Sequence, residues 1–221
     1  YIYFGDDDSY LLEGTINRLL SYIKNGRYDL IGIKALYMLD NESEQAVIRR
    51  YSKIKKPIIN INRLADNFGV NVPQPVKVPF VPASLLVKTC LAKQVKFDPS
   101  FKGNGYREET DFIIRCAKEG AVVAYCSEGA QINLPRTIAA GGAWAQGLVN
   151  YEISAIRNNW LFLQRHYKYL YDNWDLRTPL VLLQLIFIYD RTLIFFKKAI
   201  KSLIGRKNSK LKLLFCIRGP H

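Results

Sequence analysis

Two hydrophobic periods organise this chain. Tyr1-Ile2-Tyr3-Phe4 is an apolar run ending at Gly5 and predicts a short strand. Beyond an acidic stretch, Leu11, Leu12, Ile16, Leu19, Leu20 and Ile23 recur at the spacing of one helix face. Asp8 or Ser9 suits the cap of that helix and Gly26 its stop. Leu30 to Leu39 is largely apolar and predicts a second strand. Asn41 to Lys56 is polar and reads as a short helix or loop, and Pro57 to Ile61 as an edge strand. Pro73, Pro75, Pro79 and Pro82 make the stretch from Val70 to Pro82 an extended loop, because proline cannot donate to a ladder.

The alternation continues. Ala83 to Val87 predicts a strand, and Lys88 to Gln94 a turn or short helix. Glu108 to Glu119 carries Phe112, Ile113 and Cys116 on one helical face and stops at Gly120; Ala121 to Cys126 is the next strand. Asn133 to Gly142 reads as a loop and Ala143 to Tyr171 as a long, aromatic-rich helix. Pro179 to Ile204 is strongly apolar, but Asp190 and Arg191 interrupt it and a basic tail follows. A spanning helix needs about 20 mostly apolar residues. This segment instead reads as a helix lying in or against a membrane surface, the alternative being packing on the domain. The element order predicts an α/β fold, a mixed sheet flanked by helices.

Charge adds a direction. The formal net charge is +13, and from Lys197 to Lys212 the chain carries Lys197, Lys198, Lys201, Arg206, Lys207, Lys210 and Lys212 with no acid. Such a run attracts anionic partners: lipid head groups, nucleic acid or phosphorylated substrates. Cys90, Cys116, Cys126 and Cys216 have neither metal-ligand nor redox-motif spacing and read as reduced core residues of a cytosolic-side protein. The abrupt strand at Tyr1 and the end at Arg218-Gly219-Pro220-His221 read as two cut ends of a longer protein.

Two acidic constellations carry candidate chemistry. Asp6-Asp7-Asp8 follows a strand, where ligands of open α/β sheets gather. Three adjacent carboxylates repel one another unless a cation joins them, and hard divalent ions such as Mg²⁺ or Mn²⁺ take oxygen ligands. The competing account is a helix N-terminus, whose dipole favours acids. Gly105-Tyr106-Arg107-Glu108-Glu109-Thr110-Asp111 opens a helix after a glycine-punctuated loop. A carboxylate there suits a general base within reach of a substrate hydroxyl, and first-turn acids again offer the plainer account.

Taken in order, these segments resemble family 2 glycosyltransferases of the GT-A type, from Tyr1 to about Tyr167. The strand leading into Asp6-Asp7-Asp8 is similar to that family's metal-binding aspartate motif. Leu85-Leu86-Val87-Lys88 and Phe97-Asp98-Pro99-Ser100-Phe101 resemble the strand and loop before the acceptor site. Glu108-Glu109-Thr110-Asp111-Phe112 with Arg115 resembles the acidic helix, Gly120 to Tyr125 the strand after it, and Gly141-Gly142 the glycine pair that follows.

The resemblance implies a GT-A-like fold, with residues 1–142 as the C-terminal part of a catalytic domain and 143–221 as a helical extension. It implies a nucleotide-sugar donor, a glycan or lipid-linked acceptor, and transfer with inversion in a single displacement. Asp6 and Asp8 would hold Mg²⁺ or Mn²⁺, with Asp7 near the ribose or the second shell. Glu109 would be the base, with Glu108 and Asp111 as orienting neighbours. Asn133 stands where the family often places a metal-binding His, and Arg136 is a candidate phosphate contact. His166 is assigned no role. Glu109 departs from the family's usual Asp. The strands that bind the nucleotide base in that family have no counterpart here.

The implied location is the cytoplasmic, inner face of the cell membrane, with an anionic membrane surface as a further partner. The main alternative is a non-catalytic basic module binding a membrane surface or nucleic acid. Nucleic acid is the disfavoured partner, since the acidic motifs oppose it. Metal-dependent phosphoryl transfer ranks last, because the sequence contains no phosphate-binding loop.

Overall fold

The computed structural model describes residues 1–135, 137–139 and 147–196. Its main sheet contains β1 (Ile2–Phe4), β2 (Ser9–Leu11), β3 (Leu30–Tyr37), β6 (Val76–Lys77), β7 (Leu85–Val87) and β8 (Val123–Asn133). A separate ribbon pairs β4 (Ile59–Asn60) with β5 (Ala65–Asp66). The strand order is β1-β7-β3-β8-β2, with β6 also paired to β8. β3 and β8 run parallel, and the other pairings in the sheet are antiparallel, so the sheet is mixed.

β3 lies inside the sheet and is buried on both faces, which is why its sequence reads as a nearly continuous apolar run. Alternate residues feed two cores. Leu30, Leu85, Val87, Val123 and Tyr125 belong to the larger one. Ile31, Ile33, Leu86, Ala124 and Cys126 face the other way and pack with Leu19 and Ile23 of α1 (Thr15–Lys24). Helix α2 (Glu44–Ser52) adds Val47 against Leu36, Ala130 and Ile132, and the Ser43 side chain caps it by accepting from the Ala46 N–H. A short helix, α3 (Thr89–Val95), precedes α4 (Glu108–Lys118), which supplies Phe112, Ile113 and Cys116 to the larger core.

That core is completed by α5 (Leu148–Asn173), through Phe162, Leu163 and Leu170, and by a last helix, α6 (residues 180–196), through Leu183. The helices after residue 147 therefore share a core with the sheet. Among the described residues, no helix is long and apolar enough to cross a membrane. The segment 197–204, expected as the end of the last helix, lies outside the described residues.

Two local expectations change. β8 continues to Asn133 instead of ending at Cys126. Its pairing to β3 jumps from Ile33–Cys126 to Lys34–Ala130, so the polar Ser127-Glu128-Gly129 is accommodated as an irregularity within the strand. The lengthened strand then recruits Ser9–Leu11 as an antiparallel partner. Asp8 and Ser9 therefore do not cap a helix: α1 starts at Thr15, behind Gly14 in the left-handed region and without a side-chain cap.

Candidate functional site

β1 is antiparallel to β7, and β7 to β3, so β1, β3 and β8 all point the same way. The acidic triplet follows the C-terminal end of β1. Gly5 makes the exit: a Cβ there would lie 2.7 Å from the Tyr3 ring and 3.0 Å from Gln131 Oε1. The turn is pinned by Ser9 Oγ donating to the Asp6 carbonyl at 2.6 Å and by the Leu134 N–H donating to the Asp8 carbonyl at 2.9 Å. Asp6 and Asp7 are exposed and Asp8 is half-buried. Because α1 begins only at Thr15, these carboxylates lie outside its first turn, and the helix dipole does not account for them.

The surroundings make Asp6 a reluctant anion. Desolvation by the surrounding protein raises its pKa, the charge on Asp8 adds to this, a hydrogen bond from Gln131 partly offsets it, and Asp7 raises it again. Gln131 organises this end of the site. Its Nε2 donates to Asp6 Oδ2 and to Asn133 Oδ1, both at 3.1 Å, while its Oε1 accepts from the Tyr3 hydroxyl at 2.6 Å. Asn133 is buried, and its Nδ2 reaches the Leu36 carbonyl at 3.4 Å. Of the three expected metal ligands, Asp6 and Asp8 thus lie in the turn after β1, whereas the Asn133 oxygen already accepts from Gln131. Asn133 also belongs to the end of β8 and not to a loop, as its pairing with Ser9 requires. Among the described residues, no three His, Cys, Asp or Glu side chains converge as a metal cluster. Gln131 received no role from the sequence, although its place two residues before Asn133 puts both on one face of the strand.

The second acidic motif meets the first. The loop before α4 turns through Gly105 and Arg107, both at positive φ, and the Glu108 N–H closes it on the Gly105 carbonyl at 2.8 Å. Glu109 is half-buried, and its pKa is pushed up to about 6 by desolvation, then by the charges on Glu108 and Asp6. The charge on Asp6, at the end of β1, is the smallest of these influences on Glu109. Glu108 is likewise raised by burial, then by Asp111 and Asp98. Asp66, at the end of β5, is raised by desolvation and partly relieved by Arg107. A cavity of about 230 Å³ opens beside Asp66 and Tyr37, with Tyr51 and Asn67 among its walls.

Asp111 does something other than orient Glu109. It is fully buried, and its two oxygens are taken by Arg115 Nε at 2.7 Å and His166 Nε2 at 2.7 Å, with Arg165 Nη1 at 3.6 Å. Burial alone would raise its pKa, but the hydrogen bonds from His166 and Arg115 hold it below the ordinary carboxylate value. His166, without a role in the sequence, is buried in α5, and desolvation lowers its pKa despite the carboxylate. The neutral ring must then carry its proton on Nε2 to donate to Asp111. Asp111 therefore joins α4 to α5 and is not free to exchange a proton with substrate.

Arg107 is a second joint that sequence reasoning missed. It is buried, donates to the Leu64 carbonyl at 2.8 Å and to Asn159 Oδ1 at 3.3 Å, and stacks its guanidinium over the Phe80 and Phe162 rings. Its only sequence signal was its place just before the acidic helix. Arg136 and the Gly141-Gly142 pair lie outside the described residues.

No protein-family model matches this chain, and no curated protein does. The geometry offers two chemical capacities. Asp6 and Asp8 provide hard oxygen ligands close together in one turn. Glu109 provides a carboxylate whose raised proton affinity suits a general base near neutral pH.

Proposed function

We propose that this chain carries the metal and acceptor side of a GT-A-type glycosyltransferase, which moves a sugar from a nucleotide-sugar donor to a hydroxyl of a glycan or lipid-linked acceptor. The observation that supports this reading is the acidic turn Asp6-Asp7-Asp8 at the carboxyl end of β1, a strand that runs in the same direction as β3 and β8, with the charge of Asp6 also felt at Glu109 on α4. Asp6 and Asp8 would hold Mg²⁺ or Mn²⁺, an arrangement suited to an ion that binds one or two protein carboxylates and takes further oxygens from substrate phosphates. When bound, the ion neutralises charge on the departing nucleotide diphosphate. Gln131 holds Asp6 in place and Asn133 supports Gln131, so Asn133 acts at one remove.

In the reaction, Glu109 accepts the proton of the acceptor hydroxyl. The acceptor oxygen forms its bond to the anomeric carbon as the bond from that carbon to the diphosphate oxygen breaks. The electron pair leaves with the diphosphate, and the configuration at carbon inverts. Desolvation helps Glu109 by making it a stronger base than a solvated carboxylate.

The test uses the reading frame that encodes this chain. Release of nucleotide diphosphate is followed across a panel of nucleotide sugars, with and without Mg²⁺ or Mn²⁺, in the presence of membrane extract as acceptor. Metal-dependent release from one donor is expected, with Asp8→Ala and Glu109→Gln each lowering the rate by about 10²-fold or more. Full activity in both variants, or no release by folded protein from any donor, would return the chain to the class of binding modules.

A further inference from the structure

Helix α6 is built inside out. A surface helix normally turns its polar side chains to water. Here they turn to the protein. Gln184 is buried, accepting from Asn159 Nδ2 at 2.8 Å and donating to the Ile156 carbonyl at 3.1 Å. Arg191 Nε donates to Glu152 Oε2 at 2.5 Å, and Asp190 accepts from Arg63 Nη2 at 2.9 Å. Gln184 thus meets the middle of α5 and Arg191 a position nearer its start, so α6 runs antiparallel to α5.

The outward face is apolar apart from Thr192, whose hydroxyl donates to the Ile188 carbonyl at 2.8 Å. Val181 is 61% exposed, Leu185 57%, Tyr189 62% and Phe196 57%, at spacings that keep them on one side of the helix. A contiguous stripe of this kind marks a surface that another phase or molecule covers. Directly after α6 the sequence carries Lys197, Lys198 and Lys201, the start of the basic run that contains no acid through Lys212. Apolar side chains beside a cationic run complement one surface in particular: acyl chains beneath anionic head groups. A second copy of this chain would bring the same positive charge and be repelled.

We propose that the outer face of α6 docks on an anionic lipid bilayer, lying in its surface without crossing it. This does not depend on the glycosyl-transfer reading, but it bears on the site. The Phe187 ring packs on Tyr106 at 5.2 Å between centroids, and the Arg191 guanidinium lies 5.9 Å from the same ring. Tyr106 immediately precedes Arg107, the residue before the acidic helix. The docked helix is therefore one side chain away from the loop that leads into Glu108 and Glu109.

The experiment is co-sedimentation of the 221-residue chain with phosphatidylcholine vesicles, with and without phosphatidylglycerol, read beside its oligomeric state. Pelleting that requires phosphatidylglycerol is expected. The doubly substituted Leu185→Gln/Tyr189→Gln chain should lose roughly tenfold or more in vesicle affinity, with its thermal midpoint unchanged because both side chains are exposed. If that variant fails to fold, Lys197→Glu/Lys198→Glu/Lys201→Glu takes its place, with the same loss expected. Failure to pellet with anionic vesicles overturns the proposal, as does undiminished pelleting of the folded stripe variant. A dimer that dissociates on loss of the stripe without any vesicle binding overturns it too, and assigns the face to a second copy.

Discussion

Glu109 is held where it is costly to ionise. Its pKa rises from 4.5 to about 6 on folding, so the folded state binds its proton more tightly than the unfolded chain does. Below pH 4.5 both states are protonated and nothing is lost. As pH climbs through the window up to about 6, the folded state alone resists ionisation, and above it the full penalty of about 1–2 kcal/mol applies. Glu109→Gln removes that penalty. We expect this variant to be more stable than the parent by about that amount at pH 7.5, with the gain shrinking in acid. Denaturant melts at pH 4 and pH 7.5 measure it, and a loss of stability at pH 7.5 would mean that Glu109 makes a structural contact instead. A residue whose removal strengthens the fold while abolishing turnover is the signature of a group kept for chemistry.

At the scale of elements, the joint between α4 and α5 is an ionic one. Asp111 receives Arg115 from its own helix and His166 from the next, with Asp111 and His166 buried and Arg115 partly exposed. Removing Asp111 leaves the buried His166 Nε2–H without its acceptor, while Arg115 keeps the Val95 and Lys96 carbonyls. Asp111→Ala should therefore cost about 1–3 kcal/mol, visible as a lowered midpoint in urea. The folded pKa of Asp111 is depressed, so its contribution is complete above the ordinary carboxylate range and fades as pH falls through the folded value. The gap between parent and variant should accordingly narrow in acid. Much of this level was legible in the sequence. The buried strand at Leu30, the helix after Glu108 and the long helix after residue 143 all carry local periodicity strong enough to predict. What escaped was decided by partners distant in sequence. Ser9–Leu11 became a strand only because β8 overran its apolar stretch, and no pattern in Ser9-Tyr10-Leu11 announces that. The same holds in the site. The positions of Asp6 and Glu109 followed from local motifs. Gln131, Arg107 and His166 act through bonds to residues far along the chain, and a polar residue in an apolar segment does not name its partner.

For the molecule as a whole, the division into a sheet region and a helical extension describes the order of the chain better than its packing. The larger core draws Leu30, Leu85 and Phe112 from one part and Phe162, Leu170 and Leu183 from the other. The acidic turn follows the carboxyl end of β1, and α6 packs on α5 with Gln184 and Arg191 while Val181, Leu185 and Tyr189 face outward. The described fold thus presents two surfaces of opposite character, one acidic and one apolar.

The shared core also governs the order in which the molecule can be made. During synthesis the strands emerge first, carrying a carboxylate at Asp111 and a guanidinium at Arg107 that the finished fold seals from water. Their partners His166 and Asn159 are still inside the ribosome at that moment. A nascent chain ending at Asn133 should therefore stay protease-sensitive, and protection should arrive abruptly once α5 clears the exit tunnel. Protease pulses on stalled nascent chains of increasing length measure this, and early protection of the sheet alone would show that it closes without α5. On this account the ribosome holds back the helix that completes the larger core, and translation past α5 becomes the committing step in its assembly.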